Sequence, residues 1–388
     1  MRLRRVRQLL ILIFVSLIGV FAALAEDPKW YEGVRHRLSV ELRPAYNIVS
    51  HYALRNGGDP ADASLSLHAR YAFSANPESR LGRLFPSAYQ GIGIAAYSYF
   101  HHSLTGTPVA IYIFQGARIA DFNKRASIGY EWNLGYSFGW HPNEAMSSRG
   151  NILINIGVPI VWRVTDKWEL TLTPDFTHFS NGDTSFSNAG SNLFGARIGA
   201  TYHFDADCVP ISARRFIARS EEFDGGARRM SYDIVAYGAW RADRFIDDGS
   251  IYVVDKALPI AGLHFQPLYN LNNYFAIGGS LDLQIDSSLN LYNGVKDDEG
   301  NTIAYSRPPL WQQMEAGVSL RGEIRAPIFS LGVGVGYNLV DSGYDTSRLY
   351  TTFSLKAHLT RRLMLYIGYR LNSQQYTHNL MYGLGVRL

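Results

Sequence analysis

The chain of 388 residues has one cysteine, Cys208, and no apolar run of membrane-helix length after its N-terminal segment. A single cysteine excludes an intramolecular disulfide, and a spanning helix needs about 18 or more consecutive apolar residues. The HExxH zinc-protease motif and the GxxxxGK[ST] phosphate-binding loop are also missing. Disulfide scaffolds, bundles of membrane helices, zinc proteases of that type and P-loop enzymes are therefore excluded.

Net charge carries little information because of where the basic residues lie. Four of the 37 Lys and Arg residues are arginines within the first seven positions, and they precede an apolar run, Leu9–Leu24, and a small-residue site, Ala23–Ala25. This order predicts a signal peptide over residues 1–25 that is removed on export. The other 33 basic residues balance 33 acidic ones, so no nucleic acid or other polyanion is indicated as a partner.

Aromatic residues and glycines are abundant: 25 Tyr, 20 Phe, 7 Trp and 36 Gly. They recur in segments of about ten to fourteen residues in which apolar and polar side chains alternate, which is typical of transmembrane β-barrel strands. Aromatic residues also gird such barrels at both membrane interfaces. The predicted strands are Arg37–Val49, Ser64–Ala75, Gln90–Phe100, Pro108–Ile119, Ala126–Trp140, Asn151–Val164, Trp168–Ser180, Asn192–Phe204, Met230–Arg241, Ile251–Leu268, Tyr274–Ile285, Trp311–Arg325, Ile328–Val340, Arg348–Leu359, Leu363–Leu371 and Asn379–Leu388.

The predicted fold is all-β, an antiparallel transmembrane β-barrel in the outer membrane of a Gram-negative bacterium. Its first eight strands are an even number that can close by themselves. A polar stretch of mixed charge predicts a linker over residues 206–227, between a first barrel region, 26–205, and a second, 228–388. The sequence leaves open whether the last eight strands form their own barrel or join the first eight in one larger wall.

The predicted strand Trp168–Ser180 carries the residues of greatest chemical interest. Its apolar residues, from Trp168 to Phe176, share one parity, and His178 and Ser180 continue it. Successive side chains of a strand point to opposite faces, and the apolar face of a membrane barrel looks at lipid. Polar groups that face lipid are costly and tend to be functional, so the pair is a candidate site.

A serine hydroxyl becomes a good nucleophile when a histidine takes its proton and a third group orients the imidazole. At i and i+2 on one strand face, His178 and Ser180 are neighbours. Asn192 begins the strand expected to pair with theirs and is the candidate third member. Asn181 and the backbone N–H groups of Gly182 and Asp183 are candidate donors to an oxyanion. The pattern favours a serine esterase on the lipid-facing wall.

His178-Phe179-Ser180-Asn181-Gly182, followed by Asn188-Ala189-Gly190-Ser191-Asn192, resembles the signature of the PagL-like lipid A deacylases, or acyloxyacyl hydrolases. The resemblance covers about Trp30 to Phe204. It implies an eight-stranded barrel in which Ser180 is the nucleophile and His178 the base. Such a barrel removes an ester-linked acyl chain from the lipid A of lipopolysaccharide, and no cofactor or metal is expected. Some members have a glutamate where this chain has Asn192, and an asparagine stabilises the imidazolium less.

The same spacing also resembles the outer-membrane phospholipase A family, whose catalytic asparagine lies 14 residues after the histidine, as Asn192 lies after His178. That family needs calcium, for which the sequence shows no clear ligand set; Asp183 is one candidate ligand. A third hypothesis is a pore or structural barrel without catalysis, since the second half has Asn372–Gln375 where the first has the pair. The expected partners are lipid A and other outer-membrane lipids, and a homodimer is left open.

Overall fold

The computed structural model describes residues 33–48, 55–56, 59–76, 79–143, 146–182, 184–185, 190–204, 229–242, 244–247, 249–254, 256–341, 348–372 and 378–388. The expected signal peptide, the expected linker and Asp183 lie outside these ranges. The chain divides into two compact units, one with the strands before residue 204 and one with those after residue 229. Among the described residues, no helix is both long enough and apolar enough to cross a membrane.

The first unit is a β-sheet with two short helices, α1 (Arg80–Leu84) and α2 (His102–Thr105), in its connections. The predicted and observed strands agree to within two residues at nearly every end. The strands are β1 (Arg35–Asn47), β2 (Arg55–Asn56), β3 (Asp59–Pro60), β4 (Ala63–Ser74), β5 (Tyr89–Ser98), β6 (Gly106–Asp121), β7 (Ala126–Trp140), β8 (Gly150–Gly157), β9 (Ile160–Arg163), β10 (Trp168–Ser180) and β11 (Ser191–His203).

The sheet of the first unit closes on itself. From β1 through β4, β5, β6 and β7 each long strand pairs antiparallel with the next, and β11 pairs with both β10 and β1. β8 and β9 occupy one position between β7 and β10, because both segments pair with both of those strands. The break falls at Pro159, which has no N–H for the ladder. Eight strand positions therefore form a closed barrel, called here the first barrel.

The first barrel is apolar outside and polar inside. On β1, Leu38, Val40 and Leu42 are 46%, 54% and 47% exposed, whereas Glu41 and Arg43 between and beside them are buried. This inversion of the soluble-protein pattern is what a bilayer requires, because the outer wall contacts hydrocarbon. The turn between β9 and β10 is short and the connection after β10 is longer, so Ser180 lies at the outer end of its strand.

Charged side chains that pair with one another fill the middle of the first barrel. Arg43 donates to Asp175 from Nε at 2.7 Å, and its Nη2 lies 2.6 Å from the same oxygen. Arg197 lies 3.2 Å from Asp175 and donates to Glu131 at 2.8 Å. Arg70 lies 2.6 Å from Glu131. We call this group the lumen ion cluster; its members are Arg43, Arg70, Arg197, Glu41, Glu131 and Asp175.

The second unit contains a further set of strands, and eight of them form a closed barrel, the second barrel, with β12 paired to β23. A short 3₁₀ helix spans Leu310–Gln313. The strands are β12 (Met230–Arg241), β13 (Arg244–Asp247), β14 (Ser250–Val253), β15 (Leu258–Asn270), β16 (Phe275–Asp286), β17 (Tyr292–Lys296), β18 (Thr302–Ser306), β19 (Met314–Arg325), β20 (Phe329–Asp341), β21 (Leu349–His358), β22 (Leu363–Asn372) and β23 (Asn379–Arg387).

The second barrel has its own polar interior. Asp282 accepts hydrogen bonds from Ser319 at 2.8 Å and from Tyr350 at 2.5 Å. Arg321 Nη2 donates to both oxygens of the same carboxylate, at 3.0 and 3.1 Å. Because each barrel closes through its own first and last strands, the arrangement is two barrels rather than one wall of sixteen strands.

Two hairpins outside the second barrel differ from the prediction. The expected strand Ile251–Leu268 is divided, since Ser250–Val253 pairs with β13 and the barrel strand begins only at Leu258. The connection before β19 holds a second hairpin, β17 with β18. The four hairpin strands are only four or five residues long, which is too short for periodicity to identify them or to assign them to a connection.

Candidate active site

His178 and Ser180 lie on the outer face of β10. The side chains of Thr173, Asp175 and Thr177 are buried inside the barrel, and the positions that alternate with them face outward. His178 and Ser180 belong to the outward parity and are half-buried. The pair therefore occupies the face that the alternation of the sequence predicted.

Strand register brings Asn192 beside His178. In the antiparallel pairing of β10 with β11, His178 lies directly opposite Asn192. The side chains meet, with His178 Nδ1 2.8 Å from Asn192 Oδ1. An amide oxygen only accepts, so the ring donates from Nδ1 and its Nε2 is left with the lone pair that a general base needs. The contact is the one a third catalytic member makes, although the catalytic roles stay predictions.

Ser180 follows His178 by two residues on the same face, at roughly 7 Å along the strand. In the described part of the chain, no hydrogen bond joins the Ser180 hydroxyl to the imidazole. Catalytic hydrogen bonds are often long before a substrate binds and shorten in the complex. The i, i+2 spacing on one strand face makes the two side chains neighbours.

Gly190 contacts the imidazole and was not singled out from the sequence as a site residue. Its φ is +71°, and a Cβ at this position would lie 3.0 Å from His178 Cε1 and 2.7 Å from the carbonyl oxygen of Phe179. Only glycine adopts this backbone without strain and leaves room for the ring. A glycine just before a strand predicts a positive φ, but its contact with His178 depends on the path of the connection.

The interior side chains of the same strands hold the pair in place. Phe179, between His178 and Ser180, is fully buried and packs edge-on against Tyr97 and Trp140, each with ring centroids 5.1 Å from its own. Ser191, next to Asn192, bonds to Tyr99 at 3.0 Å. Buried aromatic packing of this kind fixes the backbone from which the outward side chains project.

The predicted oxyanion residues are only partly described. Asn181 is 5% exposed, and its amide Nδ2 donates to Ser147 Oγ at 3.1 Å. Gly182 has a φ of +66°, which turns the chain sharply away from the strand end. Asp183 lies outside the described residues. The side-chain amide of Asn181 is thus engaged with a neighbouring connection, and the role of all three as oxyanion donors stays a prediction.

The wall around the pair is apolar and exposed. Ile154 lies opposite His178 on β8 and is 41% exposed. Ile156 and Phe194, on the strands that flank β10, are each 58% exposed. These side chains offer an outward surface that an acyl chain can lie against in the membrane.

Two further serines have the sequence spacing of a catalytic serine but lie inside the first barrel. Gly135-Tyr136-Ser137-Phe138-Gly139 has the G-x-S-x-G spacing of a nucleophile elbow. Ser137 is fully buried and donates to the carbonyl oxygen of Asn151 at 3.0 Å. Ser66 bonds to His68 Nε2 at 3.0 Å, and both are buried. Neither serine can meet a lipid from inside.

The described residues offer no metal centre. Within the ranges given above, no group of three or more His, Cys, Asp and Glu side chains is arranged to hold a metal ion. The one candidate calcium ligand from the sequence, Asp183, lies outside those ranges.

Residues 230–388 match the model of a protein family described as acyloxyacyl hydrolase, C-terminal domain. The match covers the second barrel. The sequence resemblance named the same family from residues of the first barrel, so the two observations concern different halves of one chain. Family and fold together make the protein a Gram-negative outer-membrane β-barrel protein.

Solved structures similar to the chain are outer-membrane proteins of very different sequence. The toluene transporter TodX of Pseudomonas putida aligns at 10% identity and a TM-score of 0.19, over 94% of this chain and 92% of that one. Omp33 of Acinetobacter baumannii aligns at 7% identity and a TM-score of 0.16, over 92% and 99%. At these TM-scores the alignments support no statement about function. The comparison with curated proteins gives no match.

The second barrel has a serine–histidine contact of its own. Ser330 Oγ lies 2.8 Å from His358 Nε2 across β20 and β21. Ser330 is buried, and both residues share the parity of Lys356, which points into the second barrel. This pair therefore lacks the outward, lipid-facing position that distinguishes His178 and Ser180.

Proposed function

We propose that the first barrel is a serine esterase that removes an ester-linked acyl chain from lipid A. The observation that carries the proposal is the 2.8 Å contact between His178 and Asn192 on an outward, membrane-facing wall, two residues from Ser180. A polar side chain that faces lipid costs free energy, and residues of this kind are usually functional. The match of residues 230–388 to the acyloxyacyl hydrolase C-terminal domain supports an acyl ester as substrate.

The chemistry follows from the two ring nitrogens of His178. Ser180 Oγ attacks the ester carbonyl carbon while Nε2 takes the hydroxyl proton. Asn192 holds Nδ1–H and so fixes the ring and its tautomer. The tetrahedral intermediate collapses, the C–O bond to the sugar or hydroxyacyl oxygen breaks, and the imidazolium protonates that oxygen. Water, deprotonated by the same nitrogen, then releases the fatty acid and restores Ser180.

The apolar wall suits a substrate that stays in the membrane. The acyl chain lies along the outward side chains near Ile154 and Phe194, and its ester reaches Ser180 at the outer end of β10. Lipid A fills the outer leaflet of the outer membrane, whereas phospholipids occupy the inner one. The position of the pair at the outer end of the strand therefore favours lipid A over phospholipid.

Mass spectrometry of lipid A and phospholipids from cells that express the wild type or Ser180→Ala tests the proposal. We expect the wild type alone to release one acyl chain from lipid A. Ser66→Ala is the matched control, because it removes the serine of a serine–histidine pair inside the same barrel. Its lipid A profile should equal that of the wild type.

Each of the other possible outcomes supports one of the two alternative hypotheses. Serine-dependent lysophospholipid with intact lipid A contradicts the deacylase and supports the phospholipase A alternative. No serine-dependent change in either lipid, with all variants folded in the membrane, supports a pore or structural barrel. Heat-modifiable migration on gels checks folding in each case.

Asn192→Ala is expected to lower kcat with little change in KM, because Asn192 orients the imidazole and does not reach the substrate. Loss of a hydrogen bond to a group that becomes charged costs about 1.5–3 kcal/mol, which corresponds to roughly 10- to 150-fold in rate. Steady-state kinetics on an ester substrate in mixed micelles measure the effect. Asn192→Asp keeps the acceptor oxygen and should recover most of the rate; a rise in KM alone would instead indicate substrate binding.

A further inference from the structure

The first barrel has a positively charged cavity at the end of β10 opposite Ser180. Its volume is about 100 Å³, and the length of β10 separates it from the pair by roughly 40 Å. Five cationic side chains and two carboxylates line it, an excess of three positive charges. They are Arg37, Arg118, Lys124, Arg125, Arg163, Asp121 and Glu169.

Both carboxylates already have partners. Asp121 accepts a hydrogen bond from Arg118 at 2.9 Å. Glu169 lies 2.9 Å from Nε2 of His203, a residue outside the lining. Among the residues that the structure describes, the lining thus has more cationic than anionic side chains, and like charges held this close favour an anion between them.

The turn that carries two of the cations is fixed in shape. Asn123 Oδ1 accepts from the N–H groups of Arg125 and Ala126, at 2.8 and 2.9 Å. The carbonyl oxygen of Arg125 accepts from the N–H of Arg163 at 2.8 Å, which ties the turn to β9. The backbone of this turn therefore needs no ordering when an anion binds.

The level of the cavity coincides with a membrane interface. Trp162 and Trp168 flank it on β9 and β10, face outward, and are 52% and 47% exposed. Tryptophan concentrates where lipid head groups meet hydrocarbon. The short turn between these strands marks this as the periplasmic end, so the nearest head groups are those of the inner leaflet.

We propose that this cavity binds a phosphate group. Arginine and lysine together supply the fork-shaped and point-charge donors that phosphate oxygens accept. A volume of about 100 Å³ is several times that needed for one water, so a phosphate fits. The phosphate belongs either to an inner-leaflet phospholipid or to a free phosphate ion, and binding at this end does not depend on catalysis at the other.

Titration calorimetry on the full chain in detergent, at an ionic strength of about 10 mM where screening is weak, tests the proposal. All proteins carry Ser180→Ala so that no ester is consumed. The probes are dihexanoyl phosphatidylglycerol, inorganic phosphate and uncharged dihexanoylglycerol. We expect Lys124→Gln with Arg125→Gln to weaken phosphate-dependent binding about tenfold or more. Lys167→Gln, an exposed lysine of the neighbouring turn outside the lining, is the matched control and should bind like its parent.

The probes separate the two sources of the phosphate. Binding of the phospholipid without binding of inorganic phosphate identifies a lipid head group, and equal binding of both identifies a free anion; either result supports the cavity as a phosphate site. Three results overturn it: no binding of either phosphate probe, equal binding of dihexanoylglycerol, or unchanged affinity in the double variant.

Discussion

His178→Ala is expected to lower kcat on an ester-linked acyl substrate by about 10³-fold or more, with KM little changed. In the proposed mechanism the imidazole takes the proton of Ser180 through Nε2, since Asn192 contacts Nδ1. Purified protein in mixed micelles, assayed for released fatty acid, gives the rate. His141→Ala is the matched control, because His141 is an exposed histidine of an outer connection at the same end of the barrel.

The double variant His178→Ala with Ser180→Ala gives the sharper result. Residues that act as one unit are strongly non-additive, so the double variant should be about as slow as either single one. Two losses that multiply would mean that the residues act independently, and the serine–histidine mechanism would be wrong. A His178→Ala protein at full rate would contradict it more directly.

Asp175→Ala is expected to destabilise the first barrel by about 3–5 kcal/mol, because it leaves buried guanidinium groups without their carboxylate. Asp175 is fully buried and lies within 3.2 Å of both Arg43 and Arg197 in the lumen ion cluster. Denaturant unfolding of protein inserted in lipid vesicles measures the loss. Asp166→Ala, on the exposed turn before β10, is the matched control and should change stability little.

A second variant separates the net contribution of the ion pair from the cost of an unpaired charge. Arg43→Met with Asp175→Leu removes both partners, and apolar replacement of a buried pair is often neutral. We expect the double variant to be more stable than Asp175→Ala. Equal loss in both would mean that Asp175 acts through packing rather than charge.

Periodicity predicted the barrel strands well because the bilayer imposes it. Ala126–Trp140 and Trp168–Ser180 have the bounds expected from the sequence, since each alternates up to a turn at both ends. Periodicity could not separate the hairpin strand Ser250–Val253 from β15, because four residues are too few to show a period of their own. The alternation also gave no sign of the break at Pro159. There, β8 and β9 are two segments that share one strand position between β7 and β10.

The features of the candidate site that depend on local strand geometry were predictable from the sequence. The parity of β10 placed His178 and Ser180 outward, and the expected pairing with the next strand brought Asn192 near. The contact of Gly190 with the imidazole depends on the path of a connection, which no periodicity encodes. The cavity at the opposite end joins side chains from several strands and a turn, so its charge is visible only after the barrel closes.

The outward position of His178 and Ser180 also determines how a reactant reaches them. A lipid meets this wall by lateral diffusion in two dimensions, and its effective concentration is its mole fraction in the leaflet. Detergent that spreads the same lipid over more micelle surface then slows turnover, even at constant amounts of protein and lipid. Rates measured at different ratios of detergent to lipid become comparable only when mole fraction is the variable.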